Sequence, residues 1–214
     1  MDIKPCGDAA LLLDIQNSDV ADAGISILAG VMNVHQQIRD MNIPGVVDIV
    51  PAGATVVVSL DTALCTPKQA TQYLQDVTIS AGTLESGREV VIPVVYQGPD
   101  LEVVADATGL RVRDVIQQHS EMPWLAAFGG FAPGFMYLVP QQPLWNIPRR
   151  SQPRPQIPVG AVGLAGEFSG VYPQASPGGW QLLGITPLQM WDTSRAQPSY
   201  IAPGDTVIFK EQHA

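Results

Sequence analysis

The spacing of apolar residues divides the first eighty positions into short strands and two longer helical stripes. Ala9 to Ile15 (AALLLDI) is an apolar run of strand length. From an N-cap at Ser18 or Asp19 the chain turns helical. Ile27, Val31, Val34, Ile38 and Met41 recur at intervals of four and three, which aligns them on one face of a helix that Pro44-Gly45 ends. Val46 to Val50 and Thr55 to Leu60 are β-branched runs on either side of Pro51-Ala52-Gly53-Ala54, the pattern of a β-hairpin. Thr66-Pro67 pairs an N-cap with proline at the first helical position and predicts a helix through about Ile79. A β–α–ββ–α order of this kind predicts a small, open-faced α+β sandwich.

Gly82 to Gly87 (GTLESG) is small, polar and helix-breaking, and it marks a boundary between domains 1–84 and 85–214. Glu89 to Tyr96 (EVVIPVVY) opens the second domain as a strand. Two helices follow, Pro99 to Thr108 and Arg111 to about Ser120, separated by Gly109-Leu110. From Phe128 the pattern is one of short strands and turns, until Ala202-Pro203-Gly204-Asp205 turns into a last strand, Thr206 to Lys210. Phe128 to Pro187 holds ten of the twenty glycines and ten of the nineteen prolines. Glycine admits close backbone approach and proline fixes φ, so this density suits a β-barrel whose corners and loops shape a pocket. The expected fold class is α+β: a small N-terminal α+β sandwich followed by a C-terminal barrel.

Charge removes several functions from consideration. The net charge is −9, and −7 of it falls in the first 87 residues, which opposes a phosphate backbone as partner. The helix pair at 99–121 has the spacing of a helix-turn-helix, but five acids (Asp100, Glu102, Asp106, Asp114, Glu121) face only Arg111 and Arg113. A recognition helix so acidic would be repelled by DNA. Hydrophobic content of 46% against 14% charged residues excludes disorder. Cys6 and Cys65 form no disulfide framework and fit reduced thiols in a cytosolic protein. The acidic N-terminus lacks the basic region of a signal peptide. Met122 to Pro148 carries no charge, yet Pro123, Pro133, Pro140 and Pro143 together with Gln and Asn side chains oppose a membrane helix. A soluble, cytoplasmic protein is expected.

Candidate chemistry gathers in the Gly- and Pro-rich stretch. His119 falls in line with Val112, Val115 and Ile116 on the apolar side of its helix. It is either a core histidine or an acid/base that titrates near neutrality on a pocket wall. Phe131 to Leu138 (FAPGFMYL) reads as a rigid turn. There Phe131 and Phe135 either pack the core or form an aromatic wall, Gly134 bares the backbone, and Tyr137 offers a hydroxyl. Arg149, Arg150 and Arg154 bring a local positive charge. Their guanidinium forks suit a carboxylate or phosphate, or else pair with the acidic first domain. Gly178-Gly179 before Trp180-Gln181 supplies an anion nest or oxyanion hole, a turn that closes a barrel strand with Trp180 in the core, or both at once. No P-loop, nucleophile elbow, HExxH motif or zinc-ligand spacing occurs. Pocket walls and anion binders without a complete catalytic set point to a subunit or a binding module.

These motifs resemble a known family. FxPGFxYL at Phe131 to Leu138, PRR at Pro148 to Arg150 and VGAVGLAG at Val159 to Gly166 are similar to those of the KipI/PxpB family. So are GVYP at Gly170 to Pro173, PGGWQLLG at Pro177 to Gly184 and PGD at Pro203 to Asp205. The family is also called allophanate hydrolase subunit 1, or the B component of the prokaryotic 5-oxoprolinase. The resemblance implies a cyclophilin-like fold for the C-terminal barrel. It implies a larger PxpC/KipA-type subunit and a PxpA-type subunit as partners, with which such proteins hydrolyse 5-oxo-L-proline to L-glutamate using ATP. This chain would then be inactive alone, and which component of the complex holds ATP stays open. Related branches imply two alternatives: an inhibitor of a sensor histidine kinase, and the carboxyltransferase part of a urea carboxylase.

Overall fold

The computed structural model describes residues 1–21, 25–80 and 87–213. The chain forms two compact units, Met1–Glu85 and Ser86–Ala214, and most of the boundary stretch 82–87 lies outside the described residues.

In the first unit, β1 (Asp2–Pro5), β2 (Ala10–Asp14), β3 (Val46–Pro51) and β4 (Thr55–Leu60) form an antiparallel sheet in the order β1-β2-β4-β3. Alternation puts Leu11 and Leu13 of β2, with Val56, Val58 and Leu60 of β4, on the buried face. Among the described residues, the helices of this unit are α1 (Asn17–Ala21), α2 (Ile27–Asp40) and α3 (Pro67–Leu74). The periodic residues Val31, Val34 and Ile38 of α2 are buried, as their spacing requires. Its N-cap is not Ser18 or Asp19 but Ser26, whose Oγ accepts the Ala29 N–H at 3.2 Å. Asp19 instead lies within α1, where its carboxylate binds the N-terminal ammonium at 2.6 Å. Helix α3 begins with the expected cap, reinforced by Gln69 in a capping box, but ends at Leu74, short of Ile79. Val77, Thr78 and Ile79 are β-branched and poor helix formers, and Gln37 of α2 binds the Thr78 carbonyl at 2.6 Å. Strand β1 escaped the sequence pattern because it is mostly exposed and held by its ladder to β2.

The second unit holds β5 (Glu89–Val94), α4 (Leu101–Thr108), α5 (Val112–Glu121), β6 (Pro123–Gly129) and β7 (Met136–Pro140). Then come β8 (Arg154–Ile157), β9 (Ala161–Ala165), β10 (Phe168–Val171), β11 (Ser176–Gly178), β12 (Gln181–Ile185) and β13 (Thr206–Glu211). Seven strands pair in the order β12-β9-β10-β7-β6-β13-β5, with β13 parallel to β5 and the other pairs antiparallel. The sheet nearly closes into a barrel just past the end of β5. The Val95 and Ile185 N–H groups each donate to the other's carbonyl, at 2.9 and 3.1 Å, and the Gly98 N–H donates to the Leu183 carbonyl at 2.9 Å. Closure requires glycine there, since a Cβ on Gly98 would lie 2.2 Å from the Leu182 carbonyl oxygen.

Helices α4 and α5 pack on this sheet, against β12 and β13 respectively, with Gly109 at φ 70° ending α4. Trp124, Phe209, Ile92 and Leu138 fill the main core with α5 residues Val115 and Ile116. A second apolar cluster, Phe135, Ile157, Tyr172, Trp180 and Leu182, lies beside the small β8–β11 ladder. That ladder carries the candidate site.

Candidate functional site

His119 is a core residue. Its ring is fully buried, stacked on Phe209 at 4.6 Å. Its Nδ1 lies 2.7 Å from the Tyr96 hydroxyl and its Nε2 2.9 Å from Ser169 Oγ. Ser169 donates to the Gly163 carbonyl, so the serine oxygen accepts from Nε2–H and Nδ1 accepts from Tyr96. Burial pushes the imidazole down to about 3 and raises the Tyr96 phenol. The expectation of a histidine that titrates near neutrality on a pocket wall is therefore corrected. The apolar helix face that could have lined a pocket faces the core, and the His119 ring has no exposed surface.

The FAPGF turn is tight. The Ala132 N–H donates to the Gly130 carbonyl at 2.7 Å and the Phe135 N–H to the Ala132 carbonyl at 2.9 Å. These bonds hold Phe131 at φ 65°, a left-handed conformation unusual for an aromatic residue, with 57% of it exposed. Phe135 takes the core position. Its ring meets Phe131, Tyr137, Tyr172 and Trp180 edge-to-face at 5.2–5.4 Å. Gly134 serves packing rather than access: it sits at φ 83°, and a Cβ there would be 2.8 Å from Trp191 Cβ. Tyr137 is half-buried, stacked on Phe128 at 4.7 Å, and its hydroxyl has no hydrogen-bond partner among the described residues. Behind the turn lies an open cavity of about 340 Å³, bordered by Pro133, Gly134, Trp191, Ile201 and Pro203.

The arginines separate by role. Arg150 Nη1 and Arg154 Nη2 donate to one carboxylate oxygen of Asp100, at 2.9 and 2.8 Å, while the Leu182 N–H donates to the other at 2.7 Å. Asp100 itself is almost completely buried. Burial alone would raise its pKa, but the Arg154 bond, the Leu182 N–H and both guanidinium charges hold it below the usual carboxylate range. The pairing acid thus comes from the arginines' own unit and not from the acidic N-terminal domain. Arg149 is exposed and pairs with no acid among the described residues. Its charge pulls on Tyr172, whose phenol burial nonetheless pushes up to about 12.

The two adjacent glycines also separate. A Cβ on Gly178 would press on Ile157 and the Tyr172 hydroxyl at 2.7 and 2.8 Å, so its bareness serves packing. Gly179 would admit a Cβ at ordinary contact distance, 3.8 Å from the Arg150 carbonyl oxygen; its carbonyl accepts the Arg150 N–H at 2.8 Å, and its own N–H has no partner among the described residues. Trp180 is core, and Gln181 is buried with its Nε2 donating to the Pro148 carbonyl at 3.1 Å.

The structure therefore brings Phe131, Tyr137, Arg149, Arg150, Arg154, Gly178, Gly179 and Gln181 to one end of the barrel and leaves His119 inside it. Local sequence singles out neither Asp100 nor Tyr172. Asp100 counts in sequence only as one of the five acids of the helix pair; in the structure it is the N-cap residue of α4, yet its side chain makes no cap bond to that helix. Tyr172 lies in GVYP, where proline and glycine read as a turn. Among the described residues, no group of three or more His, Cys, Asp or Glu side chains is placed to hold a metal ion. No described helix is long and apolar enough to cross a membrane.

Residues 1–201 match the family described as "Carboxyltransferase domain, subdomain C and D". The chain is 37% identical over 212 residues to the B component of the 5-oxoprolinase of Escherichia coli O157:H7, covering 96% of this chain and 94% of that protein. It is 35% identical to the corresponding 5-oxoprolinase component of Bacillus subtilis, covering 99% and 95%. Among solved structures, TTHA0988 superposes with a TM-score of 0.77 at 30% identity over 96% of this chain. This chain spans only 40% of the length of TTHA0988.

Proposed function

Because the chain belongs to the carboxyltransferase-domain family, subdomain C and D, and matches the B components of 5-oxoprolinases along nearly their whole length, we propose that it is the B-type component of an ATP-dependent 5-oxoprolinase. The observation that carries the reading is Phe131. An aromatic ring more than half exposed at positive φ, in a unit where the Tyr137 hydroxyl and Arg149 find no partner among the described residues, is a surface kept at a cost for something to bind.

The chemistry of 5-oxo-L-proline fits that surface. The lactam is a flat ring with one carboxylate, one carbonyl and one N–H. Opening its unactivated amide is uphill, and ATP hydrolysis supplies the driving force. In this reading Phe131 lies under the ring and Arg149 attracts the carboxylate. The Gly179 N–H is placed for developing negative charge on the amide oxygen. Tyr137 is the proton-handling group that remains once His119 is assigned to the core. These residues make half a site. A larger subunit of the PxpC/KipA type covers the aromatic end, and a PxpA-type subunit completes the cycle. The chain alone turns nothing over.

The test is co-expression with the larger subunit, gel filtration, and an assay of ATP-dependent glutamate release with the third subunit added. A stable heteromer active only with all three supports the reading. A chain that stays monomeric in the presence of that larger protein, or that binds a sensor histidine kinase instead, overturns it. Phe131→Gly sharpens the test, because glycine relieves the positive φ. Thermal stability is expected to hold or rise by up to about 1 kcal/mol, while glutamate release falls at least about tenfold. Unchanged turnover would make Phe131 a bystander.

A further inference from the structure

Four buried side-chain polar atoms among the described residues lack a hydrogen-bond partner: Arg150 Nε, Arg154 Nη1, Ser176 Oγ and Gln181 Oε1. They are not scattered. Arg150 and Arg154 share Asp100, and Asp100 also takes the N–H of Leu182, the neighbour of Gln181. Gln181 binds the Pro148 carbonyl two residues before Arg150, and β11, which begins at Ser176, pairs Gly178 with Arg154. Buried polar groups are nearly always satisfied, so such a concentration calls for an occupant.

Charge narrows the occupant. Two guanidinium groups close on one carboxylate, and neither pairs with another acid among the described residues. A surplus positive charge stays partly enclosed, with the Arg150 and Arg154 side chains 32% and 21% exposed. Water would fill hydrogen bonds but would not neutralise that charge. An anion would. Gln181 adds a second requirement: it is only 5% exposed, and its free oxygen accepts, so it needs a donor rather than another oxyanion.

We propose that the Asp100 cluster is a binding subsite for a carboxylate with an N–H on the adjoining atom. In it Arg150 and Arg154 take the carboxylate, Gln181 takes the N–H, and Asp100 is the positioning residue. Pinned at both oxygens, Asp100 fixes the two guanidinium groups and leaves Arg150 Nε and Arg154 Nη1 without a protein partner among the described residues. The choice of a cyclic amido acid as ligand rests on the functional reading above. In 5-oxo-L-proline the ring N–H is bonded to the carbon that carries the carboxylate, which is the required arrangement. Arg149, exposed near Tyr172, then acts as the first attraction for an anion that moves inward.

The experiment is calorimetric titration of the purified full-length chain, without ATP or partners, with 5-oxo-L-proline, cyclopentanecarboxylate and inorganic phosphate. The two carboxylates share ring size and differ at the N–H. The lactam acid is expected to bind at least about tenfold tighter than the carbocycle. Gln181→Met should erase that difference and keep carboxylate binding. Asp100→Asn should weaken both carboxylates at least about tenfold. Should Asp100→Asn fail to fold, Arg154→Lys, which keeps the charge and loses the fork, carries the same expectation. Absence of binding by all three ligands at millimolar concentration overturns the subsite. Tighter binding of phosphate than of either carboxylate, or a lactam preference that survives Gln181→Met, overturns its assignment. Since the readout is binding by this chain alone, an inactive three-subunit assay leaves a positive titration standing. A negative titration likewise leaves that assay free to succeed.

Discussion

At the residue scale, the buried histidine has a measurable consequence. His119 is neutral in the folded chain down to about pH 3, whereas in the unfolded chain it takes up a proton near pH 6.5. Below 6.5 the unfolded state binds more protons, so stability falls as pH drops from 6.5 toward 3 and is fully present above that window. The slope from one such group is at most about 1.4 kcal/mol per pH unit. His35 adds in the same direction, since burial and the Arg39 charge lower it too. Asp100 acts only in more acidic solution, because its folded pKa lies below the ordinary one. Urea denaturation between pH 7.5 and 4.5 should show the loss, and His119→Gln should flatten it. An unchanged slope in that variant would place the titration elsewhere. The Asp100 ion pairs also alter what Arg154→Lys does. The substitution disturbs a bond to a buried carboxylate, so some stability goes with it, which a solvent-exposed arginine would not cost.

At the element scale, barrel closure depends on backbone meeting backbone. Gly98 and Gly184 lie at the junction past β5, and a Cβ on either would intrude on carbonyl oxygens at 2.2 and 2.5 Å. Neither neighbour is the flexible end of a side chain, so the strands themselves must part. Gly98→Ala is expected to destabilise the second unit by about 3 kcal/mol. Amide exchange should quicken at Val95 and Ile185, whose mutual hydrogen bonds make the seam. Protection unaltered at those two amides would mean the junction yields more easily than its geometry implies.

At the scale of the whole molecule, the chain is expected to come apart as two folding units. A glutamate-specific protease should cut at Glu85 and release a stable fragment, 86–214, within the usual domain range. Arg88 is the poorer target. Its side chain donates to Asp205 at 3.2 Å and to the Tyr200 carbonyl at 2.6 Å, which holds it in the second unit. Cleavage confined to the termini would count against separate units. Much of this architecture was legible in sequence. Periodicity placed α2, the β3–β4 hairpin and the paired helices α4 and α5, because a buried face must repeat with the period of its element. Glycine and proline density marked the barrel, and the motifs within it carried the family resemblance. Partner choice was not legible. Nothing local separates His119 in the core from a histidine on a pocket wall, since both lie on the same apolar helix face. Nor does local sequence distinguish Arg149, left exposed, from Arg150 and Arg154, whose partner Asp100 is some fifty residues away. Propensity and periodicity are local, and they determined the elements. Ion pairing and burial depend on which distant residues the closed barrel brings together, and only the tertiary structure decided those.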